Sequence, residues 1–208
     1  MIGQYDQLMD ASWQDEDTNQ HIARPYRTVR GFFTNNQVDS ILSYMTTQQS
    51  VEGLVGKPSI DQDYSFAPDH DLRKCNVTYI QQDDHNRWFL QAIEQLITDS
   101  NDSLWQFDIV DYSQPARMMS YDSTDHFNSW HMDAGPGATR YRKLTAIVML
   151  SNVGDFTGGN FQIACYGTIP LNKGDVVIFP AFTMHRVTPV ITGSRRTLVH
   201  RAIGARFK

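Results

Sequence analysis

Trp130-His131-Met132-Asp133 and the distant His185 supply two imidazoles and one carboxylate, side-chain types that together bind a metal ion. That set matches the facial triad of non-haem Fe(II), which leaves coordination positions open for a cosubstrate and dioxygen. Ten residues beyond His185, Gly193-Ser194-Arg195 offers a fixed cation suited to the far carboxylate of 2-oxoglutarate. A lone His-x-Asp occurs often by chance. The four residues in this order, followed by a β-rich texture, carry the reading.

In an extended chain residues two apart share a face, so His131 and Asp133 can aim at one ion. His185 must then arrive from another strand. It follows Val176-Val177-Ile178-Phe179-Pro180, an apolar run closed by a proline, and a turn over 180–183 would deliver it to the mouth of a barrel.

The elements that position these residues read as helices first and strands afterwards. Val29 to Phe33 is a short β-prone run, Asn35-Asn36 offers a cap, and Val38, Ile41, Leu42 and Met45 fall at helical spacing. A second helix is expected over about 86–98, where Phe89, Ile93, Leu96 and Ile97 share a face beside Trp88. Residues 51–74, with Gly53, Gly56, Pro58, Pro68 and several aspartates, read as a long loop or lid. From Phe107 onward come short β-rich runs at about 107–112, 115–121, 144–151, 159–164, 168–171, 175–180, 184–190 and 196–203. The expected fold is mainly β with N-terminal helices, a double-stranded β-helix (jelly roll) buttressed by those helices. Residues 1–24, centred on Asp15-Glu16-Asp17, read as a polar arm. Residues 25–208 read as a single domain, with helical support over 34–101 and a jelly-roll core over about 105–204.

At 208 residues the chain suits one domain with a substantial core, and its 40% apolar content is that of a folded protein. A formal charge of −5 argues against nucleic acid as a partner, because phosphate contact favours a basic surface. Cys75 and Cys165 form no stapling pattern and are expected as reduced thiols. With no signal-like start and no apolar run near the ~20 residues of a membrane span, the expectation is a soluble, cytoplasmic protein.

Phe179 to Val190, with Gly193-Ser194-Arg195 behind it, resembles the prolyl-hydroxylase-like Fe(II)/2-oxoglutarate dioxygenases, and within them the bacterial PKHD-type branch. Leu144 to Ser151 and Phe156-Thr157-Gly158-Gly159-Asn160-Phe161 are similar to the same branch. The resemblance covers about 105–204 well and the helical half only in outline. It implies that His131, Asp133 and His185 bind Fe(II) and that Arg195 pairs with the distal carboxylate of 2-oxoglutarate. It also implies that Tyr121, ten residues before His131, faces the cosubstrate. Met149 departs from the family, standing where many animal prolyl hydroxylases have a tyrosine. Thr197, on the Arg195 face of the last strand, is the candidate replacement contact.

The implied activity consumes O2 and 2-oxoglutarate, releases succinate and CO2, and hydroxylates a C–H bond. Asp133 favours hydroxylation, since related halogenases lack that carboxylate. The substrate is open among a peptidyl residue such as proline, a free amino acid and another small metabolite, and the oligomeric state is also open. Two competing readings are a non-catalytic metal- or ligand-binding jelly roll and a nucleic-acid oxidative dealkylase. The second is suggested by the spacing of Arg195 and Arg201, but its first arginine follows His185 too closely.

Strand alternation puts Arg195, Thr197, Val199 and Arg201 on one face. Arg201 is a candidate for a substrate carboxylate, against a structural salt bridge weighed equally. His200 should lie on the opposite, outer face. Arg140, Arg142 and Lys143 read as a basic loop that either serves an acidic substrate or is simply solvated, Gly158-Gly159 as a tight turn or bulge, His126 as a solvated loop residue and Trp130 as core filler. His21, His70 and His85 sit in polar surroundings that suggest no role.

Overall fold

The computed structural model describes residues 24–57 and 65–207. Apart from Arg24, the polar arm expected over 1–24 lies outside them. In chain order the elements are β1 (Arg27–Val29), α1 (Asn35–Met45), β2 (Ser50–Glu52), β3 (Val55–Lys57), β4 (Ser65–Ala67), β5 (Asn76–Ile80) and α2 (Arg87–Leu104). Then come β6 (Ala116–Tyr121), β7 (Phe127–His131), β8 (Arg142–Met149), β9 (Phe156–Gly158), β10 (Phe161–Ile163) and β11 (Gly167–Thr168). The last four are β12 (Val176–Pro180), β13 (His185–Val187), β14 (Val190–Gly193) and β15 (Arg195–Ile203).

A seven-stranded sheet, ordered β1-β12-β8-β15-β6-β5-β2, faces a four-stranded sheet ordered β11-β10-β13-β7. The pairings within both are antiparallel. Every residue of β8 is buried, because the large sheet is covered on both faces. Leu144, Ala146 and Val148 join Leu198 and Ala202 of β15 in a core that includes Ile41, Phe89, Ile93 and Ile97 of the helices. The alternate residues Ile147, Met149 and Val199 pack with Phe161, Ile163 and Val187 of the smaller sheet. Thus two stacked cores flank one sheet, a jelly roll with helices on its back.

Helices as short as α1 are marginal alone, so packing must hold them. Val38, Ile41 and Met45 bury one stripe of α1, and each such side chain stabilises by roughly 1.5–3 kcal/mol. Thr34 caps it, in a reciprocal box with Gln37, rather than Asn35-Asn36. The second helix runs on to Leu104, beyond the apolar stripe that marked it, and Ser100 and Asn101 are buried in its last turns.

The expected strands differ in several places: 168–171 shrinks to β11, β9 lies outside the expected runs, and the first β-prone run is a strand only up to Val29. Residues 107–112 make only the isolated bridge of Asp111 to Ile203. Residues 184–190 divide into β13 and β14 around Pro189. The expected loop over 51–74 contains most of β2 and all of β3 and β4, the last two paired as a hairpin, while β5 extends the large sheet just beyond it. The strand β7, absent from the sequence-based series, carries the first metal ligand. Its inward residues Phe127, Ser129 and His131 lack the apolar alternation that marks a strand. Among the described residues no helix is long and apolar enough to cross a membrane.

Candidate active site

Pairing of β7 with β13 sets His131 directly opposite His185, and their ring centroids lie 4.3 Å apart. Each ring is oriented by its Nδ1, which bonds the carbonyl two residues back: Ser129 at 2.9 Å and Thr183 at 2.8 Å. Both Nε2 atoms are therefore left for an ion, the arrangement that a metal-binding histidine needs. Phe127 stacks on His131 at 3.5 Å between centroids, while Phe179 packs 4.8 Å from His185. Burial, then the neighbouring His185, pushes His131 down to about 3 against the pull of Asp133. Burial also lowers His185. Both imidazoles are thus neutral, the ligating form, at neutral pH.

Asp133 follows β7, where Ala134 N–H bonds the Ala181 carbonyl at 2.8 Å and Arg142 Nη1 donates to the Asp133 carbonyl at 3.0 Å. Its carboxylate accepts from Thr145 Oγ1 at 2.6 Å and from Arg201 at 3.2 Å (Nε) and 3.0 Å (Nη2). Burial acts to raise this carboxyl, and Arg201, His185 and Arg142 overcome it and hold the group well below the usual carboxylate range. One ligand atom from each of His131, Asp133 and His185 lies within 4.8 Å of the others.

The triad opens into a cavity of about 570 Å³ that Tyr121, Arg195 and Thr197 also line. Arg195 is 1% exposed, and its Nε and Nη2 have no hydrogen-bond partner. Burial pushes it down to about 10, and the cross-strand neighbour Tyr121, whose ring lies 5.6 Å from the guanidinium carbon, favours its charge only weakly. A buried guanidinium left without an anion is costly. This one is positioned for a carboxylate placed in the cavity, so the residues present fit both an iron ion and 2-oxoglutarate. Thr197 pairs across the ladder with Met119 and Met149, so Met149 stands beside it.

Other expected roles are placed differently. Arg201 lines the cavity and, of its two expected roles, takes the salt bridge, committed to Asp133. Arg142 and Lys143 are buried in β8 rather than solvated in a loop, Arg142 bonding Gln114 and Lys143 sitting over Phe207. Trp130 is outward and exposed, with Arg186 against its face, rather than in the core. His200 does turn away from the cavity, yet it is buried beneath α2, where it meets Glu94 at 3.0 Å. His70 contacts Glu52 at the surface. Gly158 and Gly159 both have positive φ and form the bend from β9 to β10.

Thr145 and Arg117 are cavity-side residues that the sequence reading passed over. Alternation within β8 and β6 was the available signal, since Thr145 is in phase with Met149 and Arg117 with Tyr121.

Residues 116–201 match the family described as the 2OG-Fe(II) oxygenase superfamily, a span that takes in every triad residue and Arg195. Those residues are of the 2OG-Fe(II) oxygenase superfamily. The family implies Fe(II), 2-oxoglutarate and O2 at this site. A PKHD-type hydroxylase of Synechococcus sp. (strain CC9605) is 31% identical over 86 residues, 39% of this chain and 39% of the relative. One from Teredinibacter turnerae is 38% identical over 55 residues, 25% of this chain and 24% of the relative. The aligned stretches therefore span well under half of these relatives' lengths. Among solved structures, a Pseudomonas putida prolyl-4-hydroxylase superposes with a TM-score of 0.64 at 15% identity, over 87% of this chain and 93% of that one. A Trichoplax adhaerens prolyl hydroxylase, in complex with a hypoxia inducible factor peptide fragment, gives 0.67 at 14% identity, over 86% and 84%. At such identities the likeness is one of fold, and it agrees with the jelly roll described above.

Proposed function

We propose that this protein is an Fe(II)- and 2-oxoglutarate-dependent dioxygenase that hydroxylates an unactivated C–H bond of a peptidyl residue, a free amino acid or a small metabolite. One observation carries the reading: the His131, Asp133 and His185 ligand atoms converge within 4.8 Å in the same cavity as a buried, partnerless Arg195. A non-catalytic metal module would leave Arg195 without an anion to offset its burial.

In this mechanism His131, Asp133 and His185 hold the ion, and Arg195 with Tyr121 and Thr197 takes the distal end of 2-oxoglutarate. When bound, the ion and cosubstrate supply oxidising power from O2, so that C–H becomes C–OH while 2-oxoglutarate leaves as succinate and CO2. The chain's own residues provide placement. The backbone carbonyls of Ser129 and Thr183 fix the imidazole tautomers, and Thr145 with Arg201 fixes the carboxylate. Phe127, Phe161 and Phe179 wall the histidines with apolar surface, which limits water there.

Residues 25–208 are taken as one catalytic domain. Its partner is a small molecule or a peptide. Free Cys75 and Cys165 are consistent with a cytoplasmic setting.

The test is anaerobic titration of the metal-free protein with Fe(II) and 2-oxoglutarate, watching for the weak visible metal-to-ligand charge-transfer band. The band should form in the wild type, vanish in His131→Ala and need far more 2-oxoglutarate in Arg195→Ala. Bound iron without a band in the wild type would sink the reading.

A further inference from the structure

The cavity wall carries five arginines, Arg73, Arg117, Arg142, Arg195 and Arg201, against one carboxylate among the described residues, Asp133. Four of the five have defined work. Arg201 is forked onto Asp133. Arg142 bonds the Asp133 carbonyl and Gln114. Arg73 donates to Cys75 Sγ and the Leu54 carbonyl, and lies over Phe127. Arg195 awaits the cosubstrate in the function proposed above, on which this inference rests.

Arg117 alone is left over. Among the described residues it makes no hydrogen bond or ion pair, and its Nε is buried without a partner. Its guanidinium carbon lies 5.1 Å from the centre of the Tyr79 ring, its cross-strand neighbour. Stacking on an aromatic face fixes the plane of the fork while leaving its hydrogen-bond donors free. Burial, followed by repulsion from Arg201, pushes Arg117 down to about 10. A charge held at such a cost in a cavity wall is set for an anion from outside the chain.

Register places that anion. Along the ladder of β6 and β15, Tyr121 stands opposite Arg195, Met119 opposite Thr197 and Arg117 opposite Val199. Arg117 is therefore four residues along the same face from the cosubstrate end, a separation of ~13 Å at ~3.3 Å per residue. Arg201, the partner of Asp133, lies two residues beyond Val199 on that face, so this end of the cavity borders the metal site. One arginine without an anion thus stands toward each end of the cavity, Arg195 at one and Arg117 at the other.

We propose that Arg117 is a specificity-determining residue that pairs with a carboxylate of the primary substrate and so orients the target C–H bond toward the metal site. A planar carboxylate suits a stacked guanidinium through two parallel hydrogen bonds. A cavity of about 570 Å³ has room for 2-oxoglutarate and a second small acid.

Binding is read without turnover. In protein labelled with 15N-arginine, loaded with Zn(II) and saturated with 2-oxoglutarate, the Arg117 Nε–H signal is assigned by its loss in Arg117→Met. Titration with acetate should shift that signal to saturation, and acetamide should leave it in place. No shift with acetate, or equal shifts with both, overturns the proposal. Because zinc is redox-silent, this result is separate from failure of the oxygenase reading, which shows as a missing charge-transfer band with iron.

Turnover then separates the sources of the carboxylate. Succinate release is measured with free L-amino acids, with the same amino acids as amides, and with end-blocked peptides containing Asp or Glu. Stimulation by free acids or by acidic peptides supports the pairing and identifies the source. Amides acting as well as acids overturns it. For the best acid, Arg117→Met should raise KM about 100-fold, and Arg117→Lys should recover part of the loss. A structural role predicts instead that Arg117→Met lowers the unfolding temperature, whereas removing a half-buried charge without an ion-pair partner should leave it unchanged or raised.

Discussion

Arg201 grips Asp133 through both carboxylate oxygens, at 3.0 and 3.2 Å, with each side chain about 10% exposed. Of the two readings weighed equally for this inward arginine, a substrate carboxylate and a structural salt bridge, the salt bridge is the one present, and it orients a metal ligand. Met in its place would leave a buried carboxylate with Thr145 as its hydrogen-bond donor and only the less direct charge of Arg142 to offset it. Arg201→Met should cost about 3–5 kcal/mol of stability in EDTA. A divalent ion supplies the missing positive charge, so saturating Mn(II) should shrink the deficit. Urea unfolding with and without Mn(II) checks this, and equal deficits in both would reduce Arg201 to a packing residue.

Tyr121 stands directly across the ladder from Arg195, and its hydroxyl makes no hydrogen bond among the described residues. Burial, with Cys75 adding to it, raises the phenol well above its usual range, so the group is a neutral donor throughout the working pH range. If it completes the 2-oxoglutarate site, Tyr121→Phe should weaken 2-oxoglutarate binding roughly 3- to 10-fold, the worth of one neutral hydrogen bond. The unfolding temperature should not move. Unchanged affinity in the charge-transfer titration would make Tyr121 a wall and nothing more.

The sequence was legible where one side-chain type has few alternative uses. A His-x-Asp pair, a distal histidine and a following Gly-x-Arg leave little else to build, and those residues converge in the structure. Apolar periodicity likewise revealed both helices and the strands β8, β12 and β15. It missed β7, because a strand whose inward face is Phe127, Ser129 and His131 serves an ion rather than a core. Nor could it say whether Arg201 met a ligand or a neighbour. Alternation gives the face of an arginine, while its partner depends on which strand lies opposite, and Asp133 approaches from outside the ladder. Arg142 and Lys143 misled for a related reason: charge suggests solvent, yet β8 starts inside the barrel, and a long aliphatic stem can be buried there.

Gly159 supports Arg195 from behind. With φ of +57°, a Cβ there would lie 2.9 Å from Val190 Cγ2 and 3.0 Å from Arg195 Cδ. Both neighbours are side-chain atoms and can yield, but the second belongs to the arginine that should hold 2-oxoglutarate. Gly159→Ala should therefore cost about 1–2 kcal/mol from backbone strain and also weaken 2-oxoglutarate binding. Gly158→Ala is the contrasting variant, since its Cβ would meet the Pro189 carbonyl oxygen at 2.3 Å. Backbone cannot step aside so easily, and the cost should appear chiefly as lost stability. Parallel melting curves and 2-oxoglutarate titrations separate the two. A Gly159→Ala protein with unaltered cosubstrate affinity would detach this bend from the site.

Asp175 ties the N-terminal entry of the chain to the large sheet, accepting from Gly31 N–H at 2.8 Å, Arg30 at 2.7 Å and Asn172 N–H at 2.8 Å. Burial alone would raise its carboxyl. The backbone N–H groups of Asn172 and Gly31, together with Arg30, outweigh that and hold it below the ordinary value. A carboxyl lowered on folding stabilises the native state wherever it is ionised in both states, above its unfolded value of ~3.9. That contribution fades as pH falls through the lower folded value, where the native carboxyl also takes up its proton. Asp175→Asn should thus be less stable than the wild type by about 1–3 kcal/mol at pH 7. The gap should persist down to about pH 4 and close in stronger acid. Urea unfolding of both proteins at pH 7, 4 and 3 measures it, with the other carboxylates common to both. A gap that widens in acid would mean that burial, rather than the three donors, governs Asp175.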